Sequence, residues 1–468
     1  MDIGCGDILR LRGATLSVHS GIDTTEETPE RRMRQVLFVT YYFPPSGGPG
    51  VQRSLKFVKY LPEFGWRPTV LTVDPDYAAY PNLDLELMNE IDASLEIIRT
   101  KSRDPYSAYG GLFGKKKGDV VGVGFLNQNR LDKRERIARW IRANLFIPDA
   151  RKGWVSYADR AAEKAISSHS FDAVFSTGPP HSTHLVAQRV KHRANLPWVM
   201  DMRDAWPPDS FAHLLPMSNW ARSKDARIRR LCYSDADVVL TVSKSLGIDA
   251  GALTDTPVDV IPNGYDPDDF ETIEHGQQDS FTIVYTGNMS AEQDPVGLWQ
   301  AMKTYKSRGD WDDLRVCLVG NTAGEVQARI DEAGLRKQVE VIPYVEHQKA
   351  VRYMCKADLL LLSINRVPNP KGIVTGKLYE YLAAGRPILC LISSEGDASA
   401  IVASMGAGES HRFDDESGVG HMINRHYEAW KTGNRLSGAP PERVSLFSRK
   451  TQAQQLAKIL SAVAGKEK

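Results

Sequence analysis

The stretch V-T-G-K-L-Y-E-Y-L-A-A-G-R-P-I-L, from Val374 to Leu389, has the pattern of a loop, a short helix, a glycine stop and a buried strand. Gly385 stands where a left-handed residue commonly follows a helix, and Pro387 comes where a helix cannot continue. A helix that leads at once into an apolar strand is typical of a parallel α/β sheet. The stretch therefore predicts one helix–strand repeat of such a sheet.

Lys377 is the unusual residue of this helix. A cation in the first turn opposes the helix dipole, which favours negative charge there. A bound phosphate would remove the conflict, because the free N–H groups of a helix N-terminus bind anions. Glu380 and Tyr381 share a helical face with Lys377, so a solvent-exposed Lys377–Glu380 ion pair is the other interpretation. The stretch alone does not decide between the two.

The alternation of strand and helix extends over most of the chain and repeats in two halves. Strands are predicted to begin at Val36, Pro68, Phe171, Pro197, Asp235 and Val258 in the first half, and at Phe281, Leu314, Val339, Asp358 and Pro387 in the second. Such alternation predicts parallel sheets covered by helices. The predicted fold class is α/β, with two Rossmann-like domains that face each other across a cleft.

Composition and polar segments set the predicted domain boundaries. A chain of 468 residues is too long for a single core. The polar segment 266–280 is predicted to be the hinge. The predicted parts are a disordered extension (1–32), an N-terminal acceptor domain (33–270) with an insertion (about 101–155), a C-terminal donor domain (271–445) and a last helix that packs back on the first domain (446–468).

Charge and cysteine content exclude several function classes. The net charge of +1 provides no general attraction for nucleic acid. The five cysteines are far apart and have no metal-ligand spacing, which favours reduced thiols in a cytoplasmic protein. No signal peptide and no apolar run of bilayer length is evident. The expected location is the cytoplasm.

A basic amphipathic helix is predicted within the insertion. Its apolar stripe consists of Ile137, Trp140, Ile141 and Leu145, and lysines and arginines cover the remaining surface. A basic helix of this kind can bind an anionic membrane surface, which would place the protein at the inner face of the plasma membrane. The alternative is a surface helix that packs on its own domain and exposes its charges to water.

Several candidate binding residues follow the ends of predicted strands. Because the carboxyl ends of parallel strands share one edge of a sheet, we expect these residues to line the cleft. They offer N–H groups and a cation for phosphate, a carboxylate for ribose and backbone groups for a base, so a nucleotide is the expected ligand. The candidates are Gly47, Gly48, Gly287, Asn288, Tyr344, Thr375, Gly376, Lys377 and Glu380.

In the first half, charges stand at the end of a buried strand. Asp201, Arg203 and Asp204 follow P-W-V-M, and His184 follows the strand that ends at Pro180. Buried charges are costly unless they are paired or used, so both a functional site and a structural Arg–Asp pair are open. The H-x-x-H spacing of His181 and His184 has no third ligand in evidence, which argues against a metal site.

Taken together, the motifs resemble those of family 4 glycosyltransferases, retaining enzymes of the GT-B fold that act in bacterial polysaccharide assembly. The matching segments are Y-Y-F-P-P-S-G-G-P-G, D-V-V-L-T-V-S, V-I-P-N-G-Y-D-P-D-D-F, T-I-V-Y-T-G-N, A-D-L-L-L-L-S and G-K-L-Y-E-Y-L-A-A-G-R-P-I-L. They are spread over roughly residues 35–465 in the order expected for that family.

The resemblance implies roles for two residues, and it also shows that several residues of the family pattern are missing from this sequence. Lys377 matches a basic residue that holds the donor diphosphate, and Glu380 matches the second glutamate of the E-x7-E signature, which binds ribose. The first glutamate would fall at Gly372, and the Arg and Lys common after Gly287 are replaced by N-M-S-A-E-Q-D. The usual acceptor-site histidine is also absent, and M-D-M-R-D stands in its place.

The implied reaction transfers a hexosyl or N-acetylhexosaminyl group from a UDP- or GDP-sugar to a glycan or lipid-linked acceptor, with retention. The resemblance implies no cofactor and no metal, and it makes His184, Asp201, Arg203 and Asp204 candidates for the catalytic, acceptor side. Exopolysaccharide, lipopolysaccharide or cell-wall glycan assembly is the expected process. A sugar-nucleotide 2-epimerase of the same fold and a non-catalytic nucleotide-sugar-binding relative are the alternatives.

Overall fold

The computed structural model describes residues 32–78, 80, 83–103, 133–206, 216–271, 279–393 and 395–465. The predicted disordered extension, apart from its last residue, and much of the predicted insertion lie outside the described residues.

The first half of the described chain forms a seven-stranded parallel sheet. Its strand order is β3-β2-β1-β4-β5-β6-β7. The central strands are buried on both faces, as expected for apolar runs in a parallel sheet. The strands are β1 (Arg34–Val39), β2 (Trp66–Val73), β3 (Glu96–Thr100), β4 (Ala173–Gly178), β5 (Trp198–Met202), β6 (Val238–Thr241) and β7 (Val258–Val260).

The second half forms a six-stranded parallel sheet. Its strand order is β10-β9-β8-β11-β12-β13. The strands are β8 (Phe281–Thr286), β9 (Leu314–Val319), β10 (Val339–Ile342), β11 (Leu359–Ser363), β12 (Ile388–Ile392) and β13 (Gly408–Arg412). Two helix-covered parallel sheets confirm the predicted α/β fold class.

Helices cover both faces of each sheet. In the described residues they are α1 (Pro49–Tyr60), α2 (Lys133–Leu145), α3 (Val155–Ser168), α4 (Ser182–Ala194), α5 (Asn219–Asp235), α6 (Lys244–Gly251), α7 (Val296–Ser307), α8 (Gly324–Glu332), α9 (His347–Lys356), α10 (Gly376–Ala383), α11 (Asp397–Met405), α12 (Glu416–Lys431), α13 (Pro441–Val444) and α14 (Arg449–Ala464). In the first sheet, α3 and α4 cover one face and α1 and α14 the other. In the second sheet, α7, α8 and α12 lie opposite α9, α10 and α11.

Two strands are absent from the sequence-based prediction. β3 and β13 are the edge strands E-I-I-R-T and G-E-S-H-R, and their residues are mostly half-exposed. Edge strands need no continuous apolar run, and charged side chains on them discourage pairing with other molecules. The prediction relied on apolar runs and therefore missed both strands.

The last helix returns to the first sheet. Leu456 and Leu460 of α14 share a buried cluster with Leu55 and Val58 of α1. The indole of Trp66 donates a hydrogen bond to Ser461 Oγ at 3.1 Å. The end of the chain thus belongs to the core of the first half, although it follows the second sheet.

Candidate active site

Near the end of β8, the aromatic ring of Tyr285 contacts Lys377 of α10. Lys377 Nζ donates a hydrogen bond to the hydroxyl of Tyr285 at 2.7 Å and lies 4.2 Å from the centroid of that ring. Burial lowers the pKa of the ammonium to about 8, although Glu380 nearby acts in the opposite direction. Among the described residues, no carboxylate forms an ion pair with Lys377. The site therefore holds a cation whose charge the described protein does not neutralise.

Gly287 makes room for this lysine. A Cβ at Gly287 would lie 2.6 Å from Lys377 Cε, and the residue has a φ of 95°, which favours glycine. Behind it, Gly320 has a φ of 126°, and a Cβ there would lie 2.5 Å from the Gly287 carbonyl oxygen. The ends of β8 and β9 can approach this closely only with glycine at position 320, whereas glycine at position 287 leaves room for the Lys377 side chain. Asn288, the next residue, is exposed.

The N-terminus of α10 points to the same edge. Thr375 precedes the helix, and its buried Oγ1 has no hydrogen-bond partner among the described residues. Apart from its chain neighbours and its own helix backbone, the described residues place no heavy atom within 4 Å of a Cβ on Gly376. The first N–H groups of a helix have no partner inside the helix. This terminus therefore offers open space, N–H donors and a hydroxyl beside Lys377.

Glu380 pairs with a histidine rather than with Lys377. Its Oε1 accepts a hydrogen bond from Nε2 of His347 at 3.0 Å. Burial alone would lower the pKa of His347, but the hydrogen bond and charge of Glu380 raise it to about 9. The Lys377–Glu380 ion pair, one of the two sequence-based interpretations, is not formed, because each side chain has found a different partner. His347 was not predictable as a site residue, because 33 residues separate it from Glu380 in the sequence.

The position of the missing first glutamate is a contact between the two halves. Ser243 Oγ donates to the carbonyl oxygen of Gly372 at 2.9 Å. A Cβ on Gly372 would lie 3.1 Å from Leu246 Cγ. Close by, the Asp397 carboxylate accepts from the backbone N–H and the hydroxyl of Ser245 at 2.8 and 3.1 Å. A glutamate side chain at position 372 would start within this contact.

Tyr344 lies beyond the end of β10, and its side chain is 72% exposed. Burial and the carboxylates of Asp84 and Glu86 raise the pKa of its hydroxyl. Asp84 and Glu86 belong to the first half, so the Tyr344 ring faces the opposite side of the cleft. Its role in binding a base remains a prediction.

In the first half, Asp201 is part of a buried ion pair with Arg53. The guanidinium donates to both carboxylate oxygens at 3.0 and 2.8 Å, and Thr177 Oγ1 donates to the same carboxylate at 2.7 Å. Arg53 also donates to the carbonyl oxygens of Ile261 and Pro262. Both side chains of the pair are almost completely buried. This arrangement favours the structural interpretation of Asp201, and its catalytic assignment remains a prediction.

Arg203 and Asp204 lie where β5 ends, beside the start of α1. Arg203 is half-buried and donates to the carbonyl oxygens of Gly178 and Pro179. A Cβ on Gly50 would lie 2.0 Å from Arg203 Nη1, so a side chain at position 50 would displace this guanidinium. Asp204 is exposed. Gly47 is buried, and Gly48 is exposed with a φ of 105° at the helix start.

His184 is fully buried behind these residues. Its Nδ1 lies 2.9 Å from Ser176 Oγ, and burial together with the charge of Arg203 lowers its pKa to about 3. His181 stacks on the indole of Trp206 with 4.5 Å between the ring centroids. Nε2 of His184 has no hydrogen-bond partner among the described residues and faces Gly178. His184 is therefore a neutral imidazole within the core in this structure.

The described part of the chain contains no cluster of three or more histidine, cysteine or acidic side chains able to hold a metal ion. Within the same residues, no helix is both long and apolar enough to cross a bilayer. On α2, Ile137, Trp140 and Leu145 are each about half exposed, whereas Ile141 is partly covered.

Solved structures share this fold at low sequence identity. Sucrose-phosphate synthase from Thermosynechococcus elongatus matches with a TM-score of 0.60 at 13% identity, over 93% of this chain and 100% of that chain. HepE of Anabaena, solved in complex with UDP-glucose, matches with a TM-score of 0.55 at 17% identity, over 92% of this chain and 99% of that chain. A putative UDP-N-acetylglucosamine 2-epimerase from Listeria monocytogenes matches with a TM-score of 0.51 at 12% identity, over 92% of this chain and 97% of that chain.

Sequence comparison is more specific about the family. No curated protein sequence matches the chain. The model of the glycosyl transferase 4-like domain matches residues 47–264, and the model of the glycosyl transferases group 1 matches residues 268–404. The two models follow each other along the chain and together match most of it. The chain belongs to the family 4, group 1 glycosyltransferases.

Proposed function

We propose that the protein transfers a hexosyl or N-acetylhexosaminyl group from a UDP- or GDP-sugar to a hydroxyl of a glycan or lipid-linked acceptor, with retention of configuration. The proposed setting is the cytoplasmic assembly of a cell-surface polysaccharide. The observation that carries the proposal is Lys377, a half-buried cation without a carboxylate partner among the described residues, beside the open N-terminus of α10.

Electrostatics explain what this arrangement can do. The bond to the donor sugar breaks with negative charge developing on the departing diphosphate. A preorganised cation and aligned N–H groups stabilise such charge more strongly in a site from which water is excluded. Lys377 and the N–H groups of Gly376 and Lys377 are the proposed diphosphate ligands. Glu380 is the proposed acceptor of the ribose hydroxyl hydrogen bonds.

The remaining candidates have proposed places around these ligands. Gly287 and Asn288 lie next to the diphosphate, and Tyr344 lies next to the base. Arg203 and Asp204 face the acceptor, with Gly47 and Gly48 at the start of α1 beside them. Thr375 contributes a hydroxyl whose buried Oγ1 has no other partner among the described residues. No metal or cofactor is part of the proposal.

Nucleotide binding is the first test of the proposal. UDP or GDP is expected to raise the unfolding midpoint, because a ligand that binds only the folded state stabilises it. A panel of donor sugars, assayed for hydrolysis and transfer, then identifies the substrate. Lys377→Ala serves as the matched variant. Full transfer by this variant would contradict the assignment, and failure of all nucleotides to bind would exclude both enzymatic functions.

A 2-epimerase is the second candidate, favoured by the shared fold with the putative Listeria monocytogenes epimerase. Such an enzyme converts UDP-N-acetylglucosamine without any acceptor, whereas a transferase needs one. Conversion without acceptor would therefore replace the transferase proposal. A protein that binds the nucleotide sugar and does neither reaction would be the non-catalytic relative.

We also propose that α2 binds an anionic membrane at the inner face of the plasma membrane. Ile137, Trp140 and Leu145 expose apolar surface on a helix that is rich in arginine. Apolar side chains and basic charge together give interfacial affinity that depends on lipid charge.

Liposome flotation tests the membrane proposal. The wild-type protein is expected to float with vesicles that contain anionic lipid and not with neutral vesicles. Trp140→Ala is expected to weaken flotation, whereas Leu436→Ala removes an exposed leucine of the second half and is expected to have no effect. Equal behaviour with both lipids would exclude the proposal.

A further inference from the structure

We propose that His347 is a positioning residue for the Glu380 carboxylate, and that through Asp269 it couples this carboxylate to the N-terminal half of the protein. The inference rests on the proposed function, because it takes Glu380 as the ribose ligand. His347 itself is not proposed to touch the donor.

The imidazole lies between two carboxylates. Nε2 is 3.0 Å from Glu380 Oε1, and Nδ1 is 3.8 Å from Asp269 Oδ2. All three side chains are partly shielded from water, with exposed fractions of 33% for His347, 26% for Glu380 and 17% for Asp269. A protonated imidazole carries an N–H group on both sides. It can therefore interact with both carboxylates at once, which a neutral ring cannot.

The position of His347 in its helix opposes the positive charge of a protonated ring. It is the first residue of α9, where the helix dipole disfavours a cation. The hydrogen bond and charge of Glu380, together with the charge of Asp269, outweigh burial and raise the pKa of His347 to about 9. One oxygen of Glu380 is used by the histidine. For Oε2, the described residues provide no hydrogen-bond partner, so it is free for a ligand hydroxyl.

Asp269 belongs to the segment that joins the two halves, and that segment is anchored on α1. Asp266 is buried and pairs with Lys56 Nζ at 2.6 Å, and it accepts from the Tyr60 hydroxyl at 2.7 Å. Lys59 Nζ lies 2.6 Å from Asp268. The backbone N–H of Asp269 donates to the carbonyl oxygen of Asp266 at 3.2 Å, so polar contacts run from α1 through Asp266 and Asp269 to the imidazole and on to Glu380.

Through these contacts, a movement of the first half would change the position of groups at the proposed donor site. A rotation of the first half that displaces Asp266 and its neighbours also displaces Asp269, the second carboxylate of His347. The charged groups that face the imidazole are Glu380 on α10, Asp269 on the joining segment and Lys56 on α1. Arg449 on α14 also interacts electrostatically with Glu380.

Calorimetric titration with the nucleoside diphosphate that the wild-type protein binds, from UDP, GDP and ADP, tests the role of His347. At pH 7, His347→Ala is expected to raise Kd about tenfold, the usual value of a charge-assisted hydrogen bond. His347→Gln keeps a donor without the charge and is expected to raise Kd by about threefold. His411→Ala is the matched control, because His411 also lies between two carboxylates, Glu409 and Asp415, at a surface of the second half.

The pH dependence separates positioning from a merely structural role. Burial and Glu380, not His347, shift the pKa of Lys377, so we expect the effect of Lys377 to cancel when the Kd of His347→Gln is divided by the wild-type Kd. This ratio is expected to fall from about three towards one between pH 7 and pH 10, because the wild-type imidazole loses its charge there. A ratio that stays constant, or an unchanged Kd in His347→Ala, would overturn the inference.

The coupling has its own variant. Asp269 forms no hydrogen bond or ion pair with Glu380 in this structure. Asp269→Asn is expected to raise Kd by about threefold, because it removes one of the two negative charges beside the imidazole. An unchanged Kd would overturn the coupling to the first half. If the wild-type protein binds none of the three nucleotides, the proposed function fails instead, which distinguishes the two failures.

Discussion

The two sheets hold a charged side chain at their carboxyl edges in opposite ways. In the first half, Arg53 and Asp201 neutralise each other, and Thr177 and two carbonyl oxygens complete their hydrogen bonds. In the second half, Lys377 rests on the face and hydroxyl of Tyr285, with no carboxylate partner among the described residues. The first arrangement is complete without a ligand, whereas the second leaves positive charge for an anion.

The difference shows how to separate structural from functional charges. Burying a charge costs free energy, and a satisfied pair compensates that cost within the protein. Lys377 instead has a lowered pKa, because its contacts with the described residues do not compensate the full cost of its burial. Strand-end position, which sequence analysis used for both Asp201 and Lys377, does not distinguish them.

The largest effect is expected from breaking the complete pair. Asp201→Ala leaves Arg53 buried without its carboxylate, and we expect a loss of about 3–5 kcal/mol in the free energy of unfolding. Chemical denaturation of the wild-type and variant proteins measures it. The double variant Arg53→Met with Asp201→Leu is expected to recover much of the loss. A stable Asp201→Ala protein that has lost only activity would instead support a catalytic role.

Removing Lys377 is expected to affect binding and stability in opposite directions. Lys377→Met loses a charge-assisted contact to phosphate, so nucleotide Kd should rise about 10- to 100-fold by calorimetry. The folded-state pKa of about 8 is below the ordinary 10.5, so the ammonium destabilises the fold at neutral pH. We therefore expect the unfolding midpoint to rise by roughly 1–3 °C. A lower midpoint would show that Lys377 is a structural cation like Arg53.

Gly287→Ala tests whether the position of Lys377 matters apart from its charge. The new methyl group would lie 2.6 Å from Lys377 Cε, so we expect the ammonium to move and nucleotide Kd to rise about tenfold. The positive φ adds a stability cost of about 1–2 kcal/mol. Gly309→Ala is the matched control, because Gly309 has a φ of 77° and the described residues beyond its chain neighbours place no atom within 4 Å of its Cβ position. Equal binding by both variants would contradict the proposed geometry.

The last expected effect is a pH dependence of nucleotide binding, about equal to the effect of Gly287→Ala on Kd. As the pH rises from 7 to 9 through the Lys377 pKa of about 8, the protonated fraction falls, and Kd is expected to rise about tenfold. Lys377→Arg keeps its charge over this range and should show a much flatter profile. A wild-type profile identical to that of the arginine variant would show that the ammonium does not contribute to binding.

Periodicity predicted the organisation of the fold but not its edges. The apolar runs of β8 and β11, for example, are long enough to identify without any partner strand. β3 and β13 are edge strands whose polar residues give no such signal. Glycines in turns, such as Gly287, were also recognisable from their positions after strands.

The partners of the site residues were not predictable in the same way. Arg53 reaches Asp201 across 148 residues, and the Tyr285 hydroxyl meets Lys377 across 92. Tyr285 itself lies in an apolar strand and has the appearance of an ordinary core residue. Pairings of this kind depend on strand order and helix placement, which periodicity does not contain.

The sequence by itself determined the two parallel sheets, the strand-end loops and the helix that carries Lys377 and Glu380, because hydrophobic periodicity and turn glycines act locally. Only the tertiary structure decided how the charges are used. In the folded protein, Asp201 pairs with Arg53, Glu380 accepts a hydrogen bond from His347, and Lys377 lies over the ring of Tyr285. The physical reason is that the cost of a buried charge depends on which groups the fold brings within hydrogen-bonding distance, and those groups are distant in the chain.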